Sequence, residues 1–133
     1  MAITGEQLQQ TARSTARDLP GTDHGRPFVD KLDVYKVAGK VFLIVTDDPD
    51  ERIITVKVEP DHGRSLRRRY PSITPGRYLD KTHWTSVGAD GEITAQLVRD
   101  LVDHSYELVL DSVPRAAGPG REGTTAGRGE ANA

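Results

Sequence analysis

Residues 64 to 84 contain a cluster of side chains that are suited to holding a polyanion. Guanidinium groups form paired hydrogen bonds to phosphate oxygens, and ammonium or imidazolium groups add compact positive charge. If the part before Pro71 is helical, its arginines at spacings of three and four share one exposed stripe. The candidate phosphate contacts are Arg64, Arg67, Arg68, Arg77, Lys81 and His83.

A solvated protein surface accounts for the same cations. Helices often carry exposed basic residues, and arginines in a last turn complement the negative end of the helix dipole. The whole chain has a formal net charge of −2, from 18 basic and 20 acidic side chains. A general DNA coat would be strongly basic, so any nucleic-acid role must rest on a local patch.

Length and composition are typical of one soluble domain. The chain has 133 residues, of which 29% are charged and 35% hydrophobic. It has no cysteine, which excludes disulfides and thiolate metal sites and fits a reducing compartment. The first residues do not form a signal peptide, and no stretch approaches the roughly 20 apolar residues of a membrane span. We expect a cytoplasmic monomer without membrane contact.

Three segments have the periodicity of amphipathic helices. The first covers residues 5–17, after a capping box formed by Thr4 and Gln7. The second covers residues 60–69 and begins with a proline at its first helical position. The third follows Thr94 as its N-cap, and its apolar side chains recur at helical spacing until a proline closes it.

The segments between these helices are rich in β-branched and aromatic residues. Strands are predicted at Phe28–Lys31, Asp33–Val37, Val41–Thr46, Ile53–Val58, Ile73–Leu79 and Trp84–Val87. Short links favour antiparallel neighbours. The order predicts an α+β fold, with a twisted antiparallel sheet of about five or six strands and the terminal helices packed on one face. Residues 1–113 form this domain, and the glycine-rich residues 114–133 are expected to be a disordered tail.

Three motifs link the sequence to a known family. They are V-A-G-K-V-F at Val37–Phe42, K-T-H-W-T-S-V at Lys81–Val87 and L-V-D-H-S-Y-E-L-V at Leu101–Val109. Their order and spacing resemble the MmcQ/YjbR family over about residues 1–113. The resemblance implies a fold like that of the bacterial frataxin homologue CyaY. It also implies DNA binding through a double-wing use of the sheet, and it implies no catalytic residue.

Packing roles are expected for two residues of these motifs. Trp84, the only tryptophan, is expected in the core or at its edge, with a stacking platform for a base as the alternative. His83 then points to the opposite face of the strand, beside Lys81. Ser105 lies on the apolar face of the third helix, where its hydroxyl can bond the carbonyl one turn back. No base or oxyanion site marks it as a nucleophile.

Metal and cofactor sites are not predicted. The pairs Asp23-His24, Asp61-His62 and Asp103-His104 lie in different elements, and adjacent side chains diverge. An iron surface of the frataxin kind needs dense carboxylates, whereas the first helix offers Glu6 and then only Asp18. We therefore expect no cofactor and no bound metal.

The leading interpretation is a non-enzymatic domain that binds DNA weakly and in a salt-dependent manner. The five arginine and lysine candidates would contact phosphates, with His83 assisting. The alternative is a module that binds a protein or small ligand, on the open face of the sheet or in a groove beside the third helix.

Overall fold

A computed structural model describes residues 3–26 and 31–113. In chain order the elements are α1 (Gly5–Arg17), β1 (Thr22–Gly25), β2 (Leu32–Val37), β3 (Lys40–Thr46), β4 (Ile53–Lys57), α2 (Pro60–Arg69), β5 (Ile73–Pro75), β6 (Trp84–Gly88) and α3 (Ala95–Asp111). The predicted tail and the closing Pro114 lie outside the described residues, as does most of the strand predicted at Phe28–Lys31.

The strands form one antiparallel sheet in the order β1-β2-β3-β4-β6-β5. All three helices supply side chains to a single large core on one face of this sheet, the helix face. Leu8, Leu66 and Val102, one from each helix, pack there against the strands. The predicted α+β architecture, with terminal helices on one face, is confirmed.

Local signals define the ends of several elements. Thr4 and Gln7 form the predicted capping box at the start of α1, and Thr94 accepts a hydrogen bond from the Leu97 amide at 3.1 Å at the start of α3. Between β2 and β3 the chain turns at Ala38 and Gly39, with φ of 52° and 80°. Two consecutive positive φ angles are the signature of the tight turn whose twist matches a hairpin.

The sheet has a second face, here called the open face, which points away from the helices. Because side chains alternate along a strand, it carries the residues between those of the helix face. Its members include Val34, Lys36, Ile44, Thr46, Thr55, Lys57, Trp84 and Ser86. Leu32, Val34 and Ile44 form a small buried cluster there, separate from the large core.

A β-bulge interrupts the central hairpin at Phe42. Tyr35 pairs with Leu43 and Lys36 pairs with Val41, so Phe42 has no partner on β2. On the other side of β3, the paired register with β4 ends at Leu43 and Val56. The next ladder bond in a regular sheet would join the Lys57 amide to the Phe42 carbonyl.

Ser105 of α3 takes the place of that missing bond. Its hydroxyl donates to the Phe42 carbonyl at 2.6 Å and accepts from the Lys57 amide at 2.8 Å. The side chain is fully buried. The hydroxyl therefore bridges two strands and does not bond its own helix one turn back, because the bulge leaves one donor and one acceptor unpaired beneath it.

Gln9 of α1 has a similar role at the other end of the β3–β4 pair. Its buried side-chain amide donates to the Thr46 carbonyl at 2.6 Å and to the Ile53 carbonyl at 3.0 Å. Each terminal helix thus supplies one polar side chain that satisfies backbone groups of β3 and β4.

One predicted strand is too long, and one strand of the sheet was not predicted. The strand predicted at Ile73–Leu79 ends at Pro75, since Gly76 begins a loop that leaves the sheet edge. The edge strand β1 was not predicted, because Thr22–Gly25 is polar and largely exposed and therefore lacks an apolar alternation.

Helices α2 and α3 meet through two histidines. The His62 and His104 rings lie 5.4 Å apart, edge to face, and His104 Nε2 lies 3.8 Å from a Glu59 carboxylate oxygen. Burial and then the charge of His104 lower the pKa of His62, whereas Glu59 acts in the opposite direction. Folding therefore favours the neutral form of His62.

Replacing Ser105 with Ala is expected to destabilise the fold by about 1–3 kcal/mol, because a buried amide and a buried carbonyl both lose their partner. Urea denaturation measures the effect. Ser65→Ala, at an exposed position of α2, is the matched control and is expected to change stability by less than about 0.5 kcal/mol. Equal stabilities for the two variants would contradict this role of Ser105.

The free energy of unfolding is expected to fall as the pH drops below about 6.5, the ordinary pKa of histidine. The unfolded chain takes up a proton at His62 more readily than the folded chain does, so acid favours unfolding. Urea midpoints at pH 7.5 and 5.5 measure this loss, which His62→Gln is expected to reduce. Equal losses in the parent and the variant would refute it.

Candidate nucleic-acid interface

A loop from Gly76 to His83 folds back over the open face. The Tyr78 hydroxyl lies 2.9 Å from the Thr46 hydroxyl, and Leu79 packs against the small apolar cluster on β2 and β3. The Arg77 amide donates to the Ser86 hydroxyl at 3.1 Å. These contacts hold the loop, which contains three of the six candidate cations, against the sheet.

Trp84 lies where this loop meets the sheet. Its neighbours Thr85 and Val87 are buried, and Val87 belongs to the large core, so strand alternation places Trp84 on the open face. The residue is partly buried. The packing role predicted for Trp84 is therefore at the sheet surface, on the side away from the helices.

Gly76 makes room for Trp84. The Gly76 amide donates to the Trp84 carbonyl at 2.9 Å, which extends the pairing of β5 with β6. A Cβ atom at Gly76 would stand 2.6 Å from the Trp84 Cβ and 2.9 Å from its carbonyl oxygen. No real Cβ approaches backbone so closely, so a side chain at Gly76 would displace Trp84.

Two lysines flank Trp84. Lys57 is its cross-strand partner on β4. On the other side, Lys81 Nζ donates to the Gly76 carbonyl at 3.1 Å. Within residues 3–26 and 31–113, neither ammonium group has a carboxylate partner. Trp84 thus lies between the strand that carries Lys57 and the Gly76 backbone that binds Lys81.

The six predicted cations fall into two groups. Arg77, Lys81 and His83 belong to the loop on the open face. Arg64, Arg67 and Arg68 belong to α2, which packs on the helix face through Leu66 and contacts α3. The sheet thus separates the two groups, and the single strip expected from their closeness in sequence is divided.

Three of the six predicted residues have a carboxylate partner. Arg64 pairs with Asp61, Arg77 pairs with Glu51, and His83 Nδ1 lies 2.6 Å from an Asp80 oxygen. The hydrogen bond from His83, followed by that from the Thr82 amide, lowers the pKa of Asp80, which keeps it a carboxylate. A phosphate would have to compete with these anions.

The remaining two arginines on α2 differ from each other. Arg67 is half-buried, and its Nη1 is buried without a hydrogen-bond partner in the described residues. Arg68 is exposed. The exposed stripe predicted for α2 therefore contains one paired, one partly buried and one open guanidinium group.

Lys57 was missed by the sequence reasoning. It closes the alternating stretch Ile53–Lys57, whose residues 54 and 56 belong to the large core. That alternation places Lys57 on the face away from the helices. Its position opposite Trp84 follows only from the pairing of β4 with β6.

A shallow cleft lies on the sheet beside β1 and β2. Its volume is about 540 Å³. It is lined by Asp23, His24, Gly25, Arg26, Val34, Lys36 and Gly39. The cleft offers a second place on this domain where a ligand could be held.

Three further observations concern metal binding, nucleophilic catalysis and membrane insertion in the described part of the chain. No three His, Asp or Glu side chains there are placed to hold a metal ion. The Ser105 hydroxyl is committed to two backbone groups. None of the described helices is long and apolar enough to cross a bilayer.

Two uncharacterised proteins of Escherichia coli are similar in sequence to this chain. The uncharacterised protein YbdF of Escherichia coli O157:H7 is 34% identical over 110 residues, which cover 83% of this chain and 90% of that protein. The uncharacterised protein YjbR of Escherichia coli K12 is 29% identical over 84 residues, covering 63% and 71%.

Solved structures share the architecture. The crystal structure of Deinococcus radiodurans protein DR2400, with a DUF419 domain, has a TM-score of 0.74 and 32% identity, covering 86% of this chain and 84% of that one. A Pseudomonas syringae protein has the same fold, with a TM-score of 0.64 at 24% identity over 75% and 97% of the two chains. A family model described as YjbR matches residues 17–108. The chain therefore belongs to the YjbR family, as its three motifs indicated.

Proposed function

We propose that this chain is a non-enzymatic domain that binds DNA weakly, through phosphate contacts on the open face around Trp84. The observation that carries the proposal is that Lys57 lies opposite Trp84 on β4 and Lys81 binds the Gly76 carbonyl on the other side, both without carboxylate partners in the described residues. Lysine ammonium groups contact phosphates as compact charges.

The carboxylate pairs decide which cations contribute most. Arg64, Arg77 and His83 already have anionic partners, so a phosphate that binds them must displace or tolerate a nearby carboxylate. Lys81 meets no such competition and lies on the open face, whereas Arg68, also unpaired in the described residues, lies on α2, so Lys81 is the principal contact among the six predicted residues. The net charge of −2 keeps general attraction low and makes the binding weak.

The absence of enzymatic activity is part of the proposal. A nucleophile needs a base within hydrogen-bond reach and donors that stabilise the developing charge. Ser105, the hydroxyl considered from the sequence, is buried between two strands and bonds backbone atoms. That environment supports a structural role.

A small-ligand module is the second candidate function. It is supported by the cleft beside β1 and β2, where Lys36 offers positive charge next to the apolar side chain of Val34. This candidate requires no DNA binding, and a ligand in the cleft would raise the melting temperature without contact at Trp84.

Affinity for a duplex oligonucleotide is expected to fall with salt, with a log-log slope of about −1.5 to −2 for two phosphate contacts. The variant Lys57→Gln/Lys81→Gln is expected to lose most of this binding and most of the slope. Fluorescence anisotropy of labelled DNA between low and moderate salt measures both quantities.

Arg64→Gln/Arg68→Gln is the matched control, because it removes the same charge from α2. It is expected to leave the slope nearly unchanged. The proposal fails if no duplex binds at low salt. A slope of about −4 to −5, with loss of binding in the α2 variant, would instead assign the interface to five contacts that include α2.

A further inference from the structure

Trp84 lies on β6, next to the residues that carry the two proposed phosphate contacts. Lys57 lies on the strand to one side of it, and Gly76, whose carbonyl binds Lys81, continues the strand on the other side. Gly76 has no side chain, and a Cβ atom there would meet the Cβ and the backbone of Trp84. The arrangement brings an aromatic residue and two lysines together at one part of the sheet.

The indole N–H of Trp84 makes no hydrogen bond within the described residues. It is not among the buried unpaired polar atoms there. Tryptophan N–H groups in buried sites usually find a partner. The ring of Trp84 is partly buried and carries an unpaired donor on the face away from the helices.

We infer that this surface takes single-stranded nucleic acid, with one unpaired base stacked on Trp84 and the adjoining phosphates on Lys57 and Lys81. The inference rests on the proposed function and narrows its ligand. A duplex hides the flat faces of its bases within the stack, whereas every base of a single strand exposes an aromatic face. Aromatic side chains beside a basic groove are the usual means of binding single strands without sequence preference.

The experiment uses the full chain and three probes at the same low salt. They are a single-stranded oligothymidylate of about twelve nucleotides, a duplex of equal length, and an abasic oligomer with the same number of phosphates. Trp84 is the only tryptophan, so intrinsic fluorescence reports on its surroundings directly. The single strand is expected to quench this emission and to bind at least about fivefold more tightly than the other two probes.

Two variants test the role of the ring. Trp84→Leu is expected to weaken binding of the single strand by about fivefold or more and to leave binding of the abasic oligomer unchanged. Trp84→Phe keeps a ring and is expected to retain part of the preference. Thermal melts confirm that both variants fold. Quenching of Trp84 emission in the parent protein is a separate test that does not depend on the folding of any variant.

The outcomes separate the two proposals. Salt-dependent binding with no preference for the single strand and no quenching of Trp84 overturns the inference and leaves the proposed function standing. Failure of all three probes to bind at low salt overturns both. Preference for the single strand, with quenching and with loss in Trp84→Leu, supports both.

Discussion

The fold depends on one side-chain bridge between β3 and β4, at the point where the hydrogen bonds between these two strands end. The bulge at Phe42 leaves a carbonyl and the Lys57 amide without their usual bond, and the buried Ser105 hydroxyl of α3 joins them. This bridge requires α3 to lie directly on β3 and β4. It also fixes the end of β4, so that Lys57 is held opposite Trp84.

The same bridge explains why the family motifs occur together. Gly39 supplies a positive φ in the turn before β3, and Phe42 forms the bulge. Ser105 closes the gap above it, and Tyr106 packs edge to face on Phe42 at 5.3 Å while its hydroxyl donates to the Pro20 carbonyl at 2.6 Å. Burial raises the pKa of Tyr106, so the phenol keeps the proton that it donates. Two adjacent residues of α3 thereby hold the Phe42 bulge and the segment that follows α1 together on the helix face.

Local chemistry made much of this fold predictable. The capping box at Thr4, the N-cap at Thr94 and the turn at Gly39 each depend on residues within a few positions, and the structure has all three. The edge strand β1 was missed because an exposed edge needs no apolar alternation. The hydrogen bonds of Ser105 depend on a bulge 63 positions away in sequence, which no local pattern reveals.

The candidate site was harder to predict for the same reason. Arg77 pairs with Glu51, which lies 26 positions away in sequence. The sequence around Arg77 therefore does not reveal that its charge is compensated. Lys57 and Trp84 become neighbours only when β4 pairs with β6. The arginines of α2 are close in sequence to the loop of Lys81, yet α2 packs on the other side of the sheet.

The central claim is that the working surface is the open face around Trp84. Mapping amide chemical shifts of the isotope-labelled chain during titration with a short single-stranded oligonucleotide tests it most directly. The account predicts shifts concentrated at Lys57, at Trp84 and along the loop from Gly76 to His83. Shifts confined to α2, or no shifts at low salt, would contradict it.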